Sequence, residues 1–531
     1  MTEPWQTSTD VLVIGGGPAA AWAAIHAAEA SAEVTLVDKG YCGTSGATAP
    51  SGTGVWYVAP EATARANAKA SREALGGHLA DHYWMDRVLD QTYANMNRLA
   101  VEGRYPFPVD PATGEQLRTG VQGPEYMRRM RAWLKRIGVR ILDHSPALEL
   151  LVDDEGTVRG VAGYQRREDR DYRITAGAVV LATGGCAFLS RALGTNVDTG
   201  DGALMAAEVG ARFSGMEFSN AYAIVPKGST ITKTAYYGYA TFFHEDGRVL
   251  EGAGSTKGRS VIARTLLTER VFAQLDRADA TVQEQMRLGQ PNFFLQFDRR
   301  GIDPFTERFE VDLLAEGTVR GTGGIDVIDD DCATTVPGLY AAGDAATRER
   351  ICGGFTGGGS HNSAWAMSSG SWAGRGAARF ALRNGRGGDG RLRGAGRVGL
   401  RPGGTQEVTA TDVVEAAQAE LIPFEKNYLR HGDRVRPALA ELDAIWARAS
   451  EGLAGRGGDE RVRARQAAAI TAVGRLMYAS TLARTETRGM SKRADHPELD
   501  PAQHHHVLSG GLDEVWTGTT PARNTTLAVA S

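Results

Sequence analysis

Near the start of the sequence, residue types and spacing already describe a piece of chemistry. The apolar run DVLVI at 10–14 ends in GGGPAA, so Gly15, Gly17 and Pro18 form a turn whose N–H groups can approach a phosphate at the head of the following Ala-rich helix. A second apolar run, VTLV at 34–37, ends at Asp38. That carboxylate stands about twenty residues beyond the turn, where it can take the ribose hydroxyls of a dinucleotide. Ala20 replaces the last glycine of the pattern, a position that only allows close packing of helix on strand. At the head of the chain such a unit is expected to hold FAD rather than NAD.

Strand, turn, helix and strand in that order make a βαβ unit, and later segments extend it. Residues 83–141 read as charged helices, with Met127, Met130, Trp133 and Ile137 on one face and a solvated Arg/Lys face opposite. Strands follow at 158–164 and 172–181. AVVLATGG at 178–185 repeats the run-then-glycine logic, which brings Thr183 and Gly184 to the adenosine half of the same cofactor. From 210 to 321 the alternation stops and aromatic residues increase, which predicts an insert. The nucleotide fold resumes with PGLYAAGDAA at 337–346. The stretch 383–404 is biased to Gly and Arg and reads as a solvated linker, and 408–491 reads as amphipathic helices.

The expected architecture is therefore α/β: a Rossmann-like FAD-binding domain in two parts, 1–209 and 332–382, split around an inserted α+β capping domain at 210–331. A Gly/Arg-rich linker at 383–407 and a C-terminal helical domain with its tail at 408–531 complete it. The 531 residues are 42% hydrophobic and 23% charged, the composition of a folded chain. A net charge of -4 offers no field for nucleic acid. The four cysteines are scattered without a C-x-x-C pair, which argues against a disulfide framework, a zinc cage or an internal iron–sulfur cluster. No signal sequence and no long uncharged apolar run is evident, so a cytoplasmic protein without membrane insertion is expected.

DVLVIGGGPA, VTLVDKG, AVVLATGGCAF, TGDGALMAAEVGA, GTGGIDV, PGLYAAGDAA, GGGSHNSAWAM and LARTETRGMSKRADHPELD occur in this order. In order and spacing they resemble the flavoproteins of the fumarate reductase/succinate dehydrogenase superfamily, above all the adenylylsulfate reductase alpha subunit and L-aspartate oxidase. The resemblance implies that Gly15, Gly17 and Asp38 take the ADP half of FAD. It brings Lys39, Thr44, Ser45 and Gly46 to the pyrophosphate and flavin, adds Asp201, and gives Gly343 and Asp344 to the ribityl chain. Asn362 and Ser363, in the turn opening a helix, would place N–H groups at the flavin pyrimidine edge.

Departures from the family pattern narrow the chemistry. The loop GYCGTSGATAPSG lacks the histidine that carries covalent flavin, so noncovalent FAD is expected. Val319 stands where fumarate-type enzymes have histidine, the substrate-clamping arginine falls on the run 357–359, and a further histidine falls at Tyr222. Simple fumarate or succinate chemistry is thereby disfavoured. Arg259 aligns with the family's proton-transferring arginine; the alternative is an arginine that holds the cap by an ion pair. His361, matching a Gly-Ser-His string of adenylylsulfate reductase, reads as a proton shuttle or as a packing residue. Tyr236 and Tyr237 are candidates for the substrate face alongside Tyr222, with a hairpin core as the alternative. Arg484 and Arg488 read as structural, and His244 and 504–506 as surface, so no metal site is expected.

The expected function is an FAD-dependent oxidoreductase moving a hydride between flavin N5 and a small polar or anionic substrate, with a separate ferredoxin-type protein as electron partner. An aspartate-oxidase-like amine oxidase and a flavin electron-transfer subunit without its own substrate are the alternatives.

Overall fold

An uninterrupted β-branched run is the signature of a strand covered on both faces, and the first strand, Trp5–Ile14, is buried from Val11 to its end. It lies parallel between Val34–Val37 and Arg170–Leu181. Arg140–Leu142 extends the sheet beyond Val34–Val37. Leu339–Ala341 adds a parallel strand to Arg170–Leu181, so the sheet is completed by chain from beyond the insert. Ala147–Val152 and Val158–Gln165 continue it in antiparallel fashion. The computed structural model describes residues 3–232, 234–255, 258–355, 358–386, 391–405 and 407–522.

Two helices cover the Gly-turn side of this sheet. Pro18–Glu29 buries ten consecutive residues, from Pro18 to Ala27, and the long helix Gly358–Asn384 packs across it. Small residues let the two backbones approach: a Cβ on Gly374 would stand 2.1 Å from the carbonyl oxygen of Ala23. The charged region expected to be helical forms His82–Val101 and Gly123–Arg136, the latter burying Met127, Met130 and Trp133.

The cap has its own sheet and its own core. Ala221–Pro226, Phe309–Glu316, Val271–Gln274 and Thr241–Phe243 are neighbours in that order, all antiparallel. Phe293, Phe294, Phe297, Phe309 and Ile262 fill the space beneath it. Phe213–Ser214, read from sequence as part of the insert, pairs instead with Gly324–Ile325 and with His505–Gly510.

The C-terminal helices are Ala410–Leu421, Gly432–Gly452 and Gly458–Ala483. Beyond them the expected tail holds a hairpin, His505–Gly510 with Trp516–Pro521. The stretch expected as a solvated linker is attached to the body in its described part. Arg393–Gly394 pairs with Ala147–Val152, the Gly396 N–H donates to Glu149, and Val398 is buried. Residues 387–390 and 406 of that stretch lie outside the described residues.

The segment after the last helix is held by buried charge. Arg484 Nε lies 2.7 Å from Glu217 and its Nη1 lies 2.8 Å from Glu486, while Arg488 Nε lies 2.5 Å from Glu486. His506 is not a surface residue: its Nδ1 is 2.9 Å from the buried carboxylate of Glu349, which also accepts from Ser214. Charges this deep are tolerated because each has a partner.

Candidate active site

The carboxyl ends of the parallel strands open into a cavity of about 980 Å3, and every residue named above for the cofactor lines it. The turn comes first. Gly15 has φ +122°, and a Cβ there would stand 2.2 Å from the carbonyl oxygen of Ala182. Only glycine passes between these two strand ends, while its N–H is held by Val37 O at 2.8 Å. The chain then enters Pro18–Glu29, whose first-turn N–H groups lack partners within the helix and point their partial positive charge at the cavity.

Asp38, at the end of Val34–Val37, is 5% exposed and accepts from Ser45 Oγ and from the Gly40 N–H at 3.3 Å. Burial pushes its carboxyl above the usual range, with Ser45 and Gly40 opposing. Gly46 (φ +89°) presses the loop against the turn, since a Cβ there would stand 2.9 Å from Gly17 Cα. Thr44 belongs to the same loop. Lys39 does not present a free ammonium: its Nζ is 2.6 Å from Asp201 and 3.0 Å from Thr199 Oγ1. Lys39 and Asp201 thus form an ion pair in the cavity wall.

Gly184 (φ +75°) and Thr183 follow Arg170–Leu181, and the Thr183 hydroxyl is buried without a hydrogen-bond partner. Gly343 and Asp344 form a 3-10 turn after Leu339–Ala341, and Asp344 is ion-paired to the buried Arg348. The long helix opens at Gly358, a turn earlier than the sequence suggested, because glycines conceal its start. Asn362 and Ser363 therefore sit in its second turn, where backbone N–H groups already have helical acceptors. Ser363 Oγ donates to Gly54 O at 2.7 Å, and Asn362 Oδ1 is buried without a hydrogen-bond partner.

The residues named for catalysis and substrate are less well gathered. Tyr236 lines the cavity and donates its hydroxyl to Met286 O at 2.8 Å. Tyr222 does not line it. Its ring packs on Tyr428 and its hydroxyl donates to Ile422 O at 2.7 Å, tying the cap to the C-terminal helices. Tyr237 also lies outside the wall, stacked on Phe242 in the cap's core. His361 is buried with its ring 4.2 Å from that of Trp56 and its Nδ1 3.2 Å from Ser360 Oγ. His244 is bound to Glu269 at 2.8 Å.

Arg259 stands near the cap's junction with the body, outside the cavity wall. Its Nε is buried without a hydrogen-bond partner, and among the described residues it makes no ion pair. Burial lowers its proton affinity; Tyr428 and Glu316 oppose, and the charge of Arg320 adds to the lowering. Sequence reasoning passed over Arg320. It lines the cavity, and its Nη1 lies 3.3 Å from Glu316, whose other oxygen accepts from Thr232 at 2.7 Å. The available signal was its position, directly after Val319. All four cysteines are buried thiols, and burial pushes that of Cys42 up to about 12. Among the described residues no helix is long and apolar enough to cross a membrane.

Comparison with known proteins agrees with this geometry. Residues 10–229 match the family described as FAD binding domain. L-aspartate oxidase of Streptomyces coelicolor is 25% identical over 95% of this chain and 92% of its own length. FrdA of E. coli quinol fumarate reductase superposes with a TM-score of 0.83 at 21% identity, covering 99% of both chains. In sequence and fold the chain fits the fumarate reductase/succinate dehydrogenase flavoprotein superfamily. This flavoprotein is an FAD-dependent oxidoreductase. Adenylylsulfate reductase of Archaeoglobus fulgidus shares its fold, with a TM-score of 0.77 at 19% identity over 99% of this chain and 98% of that one.

The cavity residues fit FAD. A buried carboxylate beside a glycine turn suits ribose hydroxyls, two helices begin at its edge, and two buried side-chain oxygens, on Thr183 and Asn362, have no protein partner.

Proposed function

We propose that the flavoprotein holds FAD noncovalently and exchanges a hydride with a small anionic substrate bound at the Arg320 end of the cavity. The observation that carries this is Arg320, whose guanidinium lines the cavity 3.3 Å from Glu316, with the positive charge of Arg259 acting on the same region from behind the wall. Gly15, Gly17, Pro18 and Asp38 hold the ADP half, Thr183 and Gly184 the adenosine side, and the Thr44–Gly46 loop the middle of the cofactor. Asp344, Asn362 and Ser363 face its flavin half. Bound FAD supplies hydride acceptance or donation at flavin N5.

The chain's own residues supply position and proton transfer. By its match to the family's proton-transferring arginine we assign proton exchange to Arg259, which stands behind the cavity wall next to Arg320 and whose proton affinity burial and Arg320 lower. From the cap, Tyr236 contributes to the wall, its hydroxyl held by Met286 O. The absence of histidine from residues 40–52 supports a noncovalent flavin. Four buried, scattered cysteines support a separate iron–sulfur protein as electron partner. Amine oxidation of an acidic amino acid is a second reading, favoured by the near full-length likeness to L-aspartate oxidase.

The test is anaerobic mixing of FAD-loaded protein with small dicarboxylates, acidic amino acids and their neutral amides, following the visible flavin band. Bleaching by an anion and not by its amide, slowed at least ~100-fold by Arg259→Gln with FAD retained, is expected. Bleaching only by neutral compounds, or an unchanged rate in Arg259→Gln, refutes it. Bleaching by aspartate with peroxide formed on admitting air selects the second reading.

A further inference from the structure

The short helix Gly317–Arg320 bears Arg320 at its end. Four residues cannot hold a charged side chain in place by themselves; the fixing comes from Arg348. That residue is 1% exposed. Its Nη2 donates to Val319 O at 3.1 Å and to Gly321 O, and its backbone N–H donates to Thr322 O at 2.7 Å. Its Nη1 is ion-paired to Asp344, which lines the cavity. A buried guanidinium therefore joins the wall at Asp344 to the carbonyls around Arg320.

Arg320 is only partly engaged. Among the described residues its one side-chain hydrogen bond is the 3.3 Å contact from Nη1 to Glu316, and Glu316 is itself fixed by Thr232. The Nε and Nη2 donors remain for a ligand, in the planar fork that matches an oxyanion. The side chain keeps 24% of its surface, and the histidine expected by family resemblance one residue earlier is Val319, which offers no donor.

We propose that Arg320 is the specificity-determining anchor for an oxyanion group of the substrate, and that Arg348 is its positioning residue, setting where the fork stands relative to the flavin half of the cavity. This rests on the anionic-substrate reading above and adds the residues that enforce it. A neutral substrate would offer the free Nε and Nη2 donors of Arg320 a single carbonyl oxygen in place of two anionic oxygens, so the anchor also disfavours amides and esters of the same shape.

The probes are malonate and sulfate, with malonamide as the neutral control, titrated into FAD-loaded protein and read by the flavin difference spectrum. Malonate and sulfate distinguish a planar carboxylate from a tetrahedral oxyanion. Arg320→Gln is expected to raise the Kd of the responding anion roughly 10-fold or more, leaving FAD content and the malonamide response unchanged. Arg348→Met is expected to raise it by a similar factor, and the double variant no further than Arg320→Gln alone, because Arg348 acts through Arg320. Arg348→Lys, which keeps charge and reach, should restore part of the affinity and serves where Arg348→Met does not fold.

An anion Kd untouched by Arg320→Gln overturns the anchor, and an Arg348→Met effect undiminished in the Arg320→Gln background overturns the positioning. A wild-type flavin that responds to malonamide and to neither anion overturns the anionic-substrate reading itself.

Discussion

Replacing Gly15 by alanine tests how the cofactor cradle is built. The new Cβ would stand 2.2 Å from Ala182 O and 2.7 Å from Ala182 C, against the 3.0 Å that real Cβ atoms respect. Both obstacles are backbone, so a side-chain rotation cannot relieve the clash. The ends of Trp5–Ile14 and Arg170–Leu181 must separate by about 0.8 Å, the difference between 3.0 and 2.2 Å. The hydrogen bonds that oppose this are Gly15 N–H to Val37 O at 2.8 Å and Ala182 N–H to Ile14 O at 2.9 Å. Weakening both costs about 1 kcal/mol each. A non-glycine residue at positive φ adds about 1–2 kcal/mol. A total of about 3–4 kcal/mol is expected in apoprotein stability. The displaced turn should also weaken FAD binding at least ~10-fold, equivalent to about 1.4 kcal/mol. Thermal unfolding of the apoprotein and FAD titration by flavin fluorescence measure the two effects. An alanine variant that unfolds at the wild-type temperature and binds FAD as tightly would refute the reasoning.

Three further outcomes follow from named contacts. Asp38→Asn removes the charge from the buried acceptor at the end of Val34–Val37, and FAD affinity should fall ~10- to 100-fold at constant fold, checked by titration and circular dichroism. Arg484→Met leaves Glu217 and Glu486 without their bridging cation in a fully buried setting. The loss should be about 3–5 kcal/mol, seen as a lowered unfolding temperature at neutral pH. His506 is desolvated, which alone would lower its pKa, but Glu349 prevails and raises it above the ordinary value. A raised histidine contributes stability fully below its unfolded pKa of about 6.5 and loses it as pH rises through the folded value. The unfolding temperature of wild type should therefore fall on the alkaline side of that pH, and His506→Gln should flatten this part of the profile.

The ADP-binding half was legible because its signals are local. A β-branched run, a glycine turn and an acid at the next strand end are all set by short-range backbone requirements, and Gly15, Gly17, Asp38, Thr183 and Gly184 meet at one cavity as read. The chain's return to the sheet at Leu339–Ala341 was legible for the same reason. What failed depends on contacts distant in sequence. His506 reads as an exposed polar residue until Glu349 is seen beside it. Tyr222 resembles a substrate contact until its hydroxyl is found on Ile422. Trp516–Pro521, WTGTTP, lacks apolar alternation because the hairpin edge is largely exposed, so no periodicity marked it as a strand. Arg320 passed unnoticed because one arginine ending a short helix carries no pattern; only Arg348, 28 residues later, fixes where it stands.

The visible absorption of the protein, as purified and after incubation with FAD, bears most directly on the cavity as a flavin site. A stoichiometric oxidised flavin spectrum is predicted, with intact FAD released into the supernatant on denaturation. Protein that remains colourless after reconstitution, or that keeps its flavin through denaturation, contradicts the account.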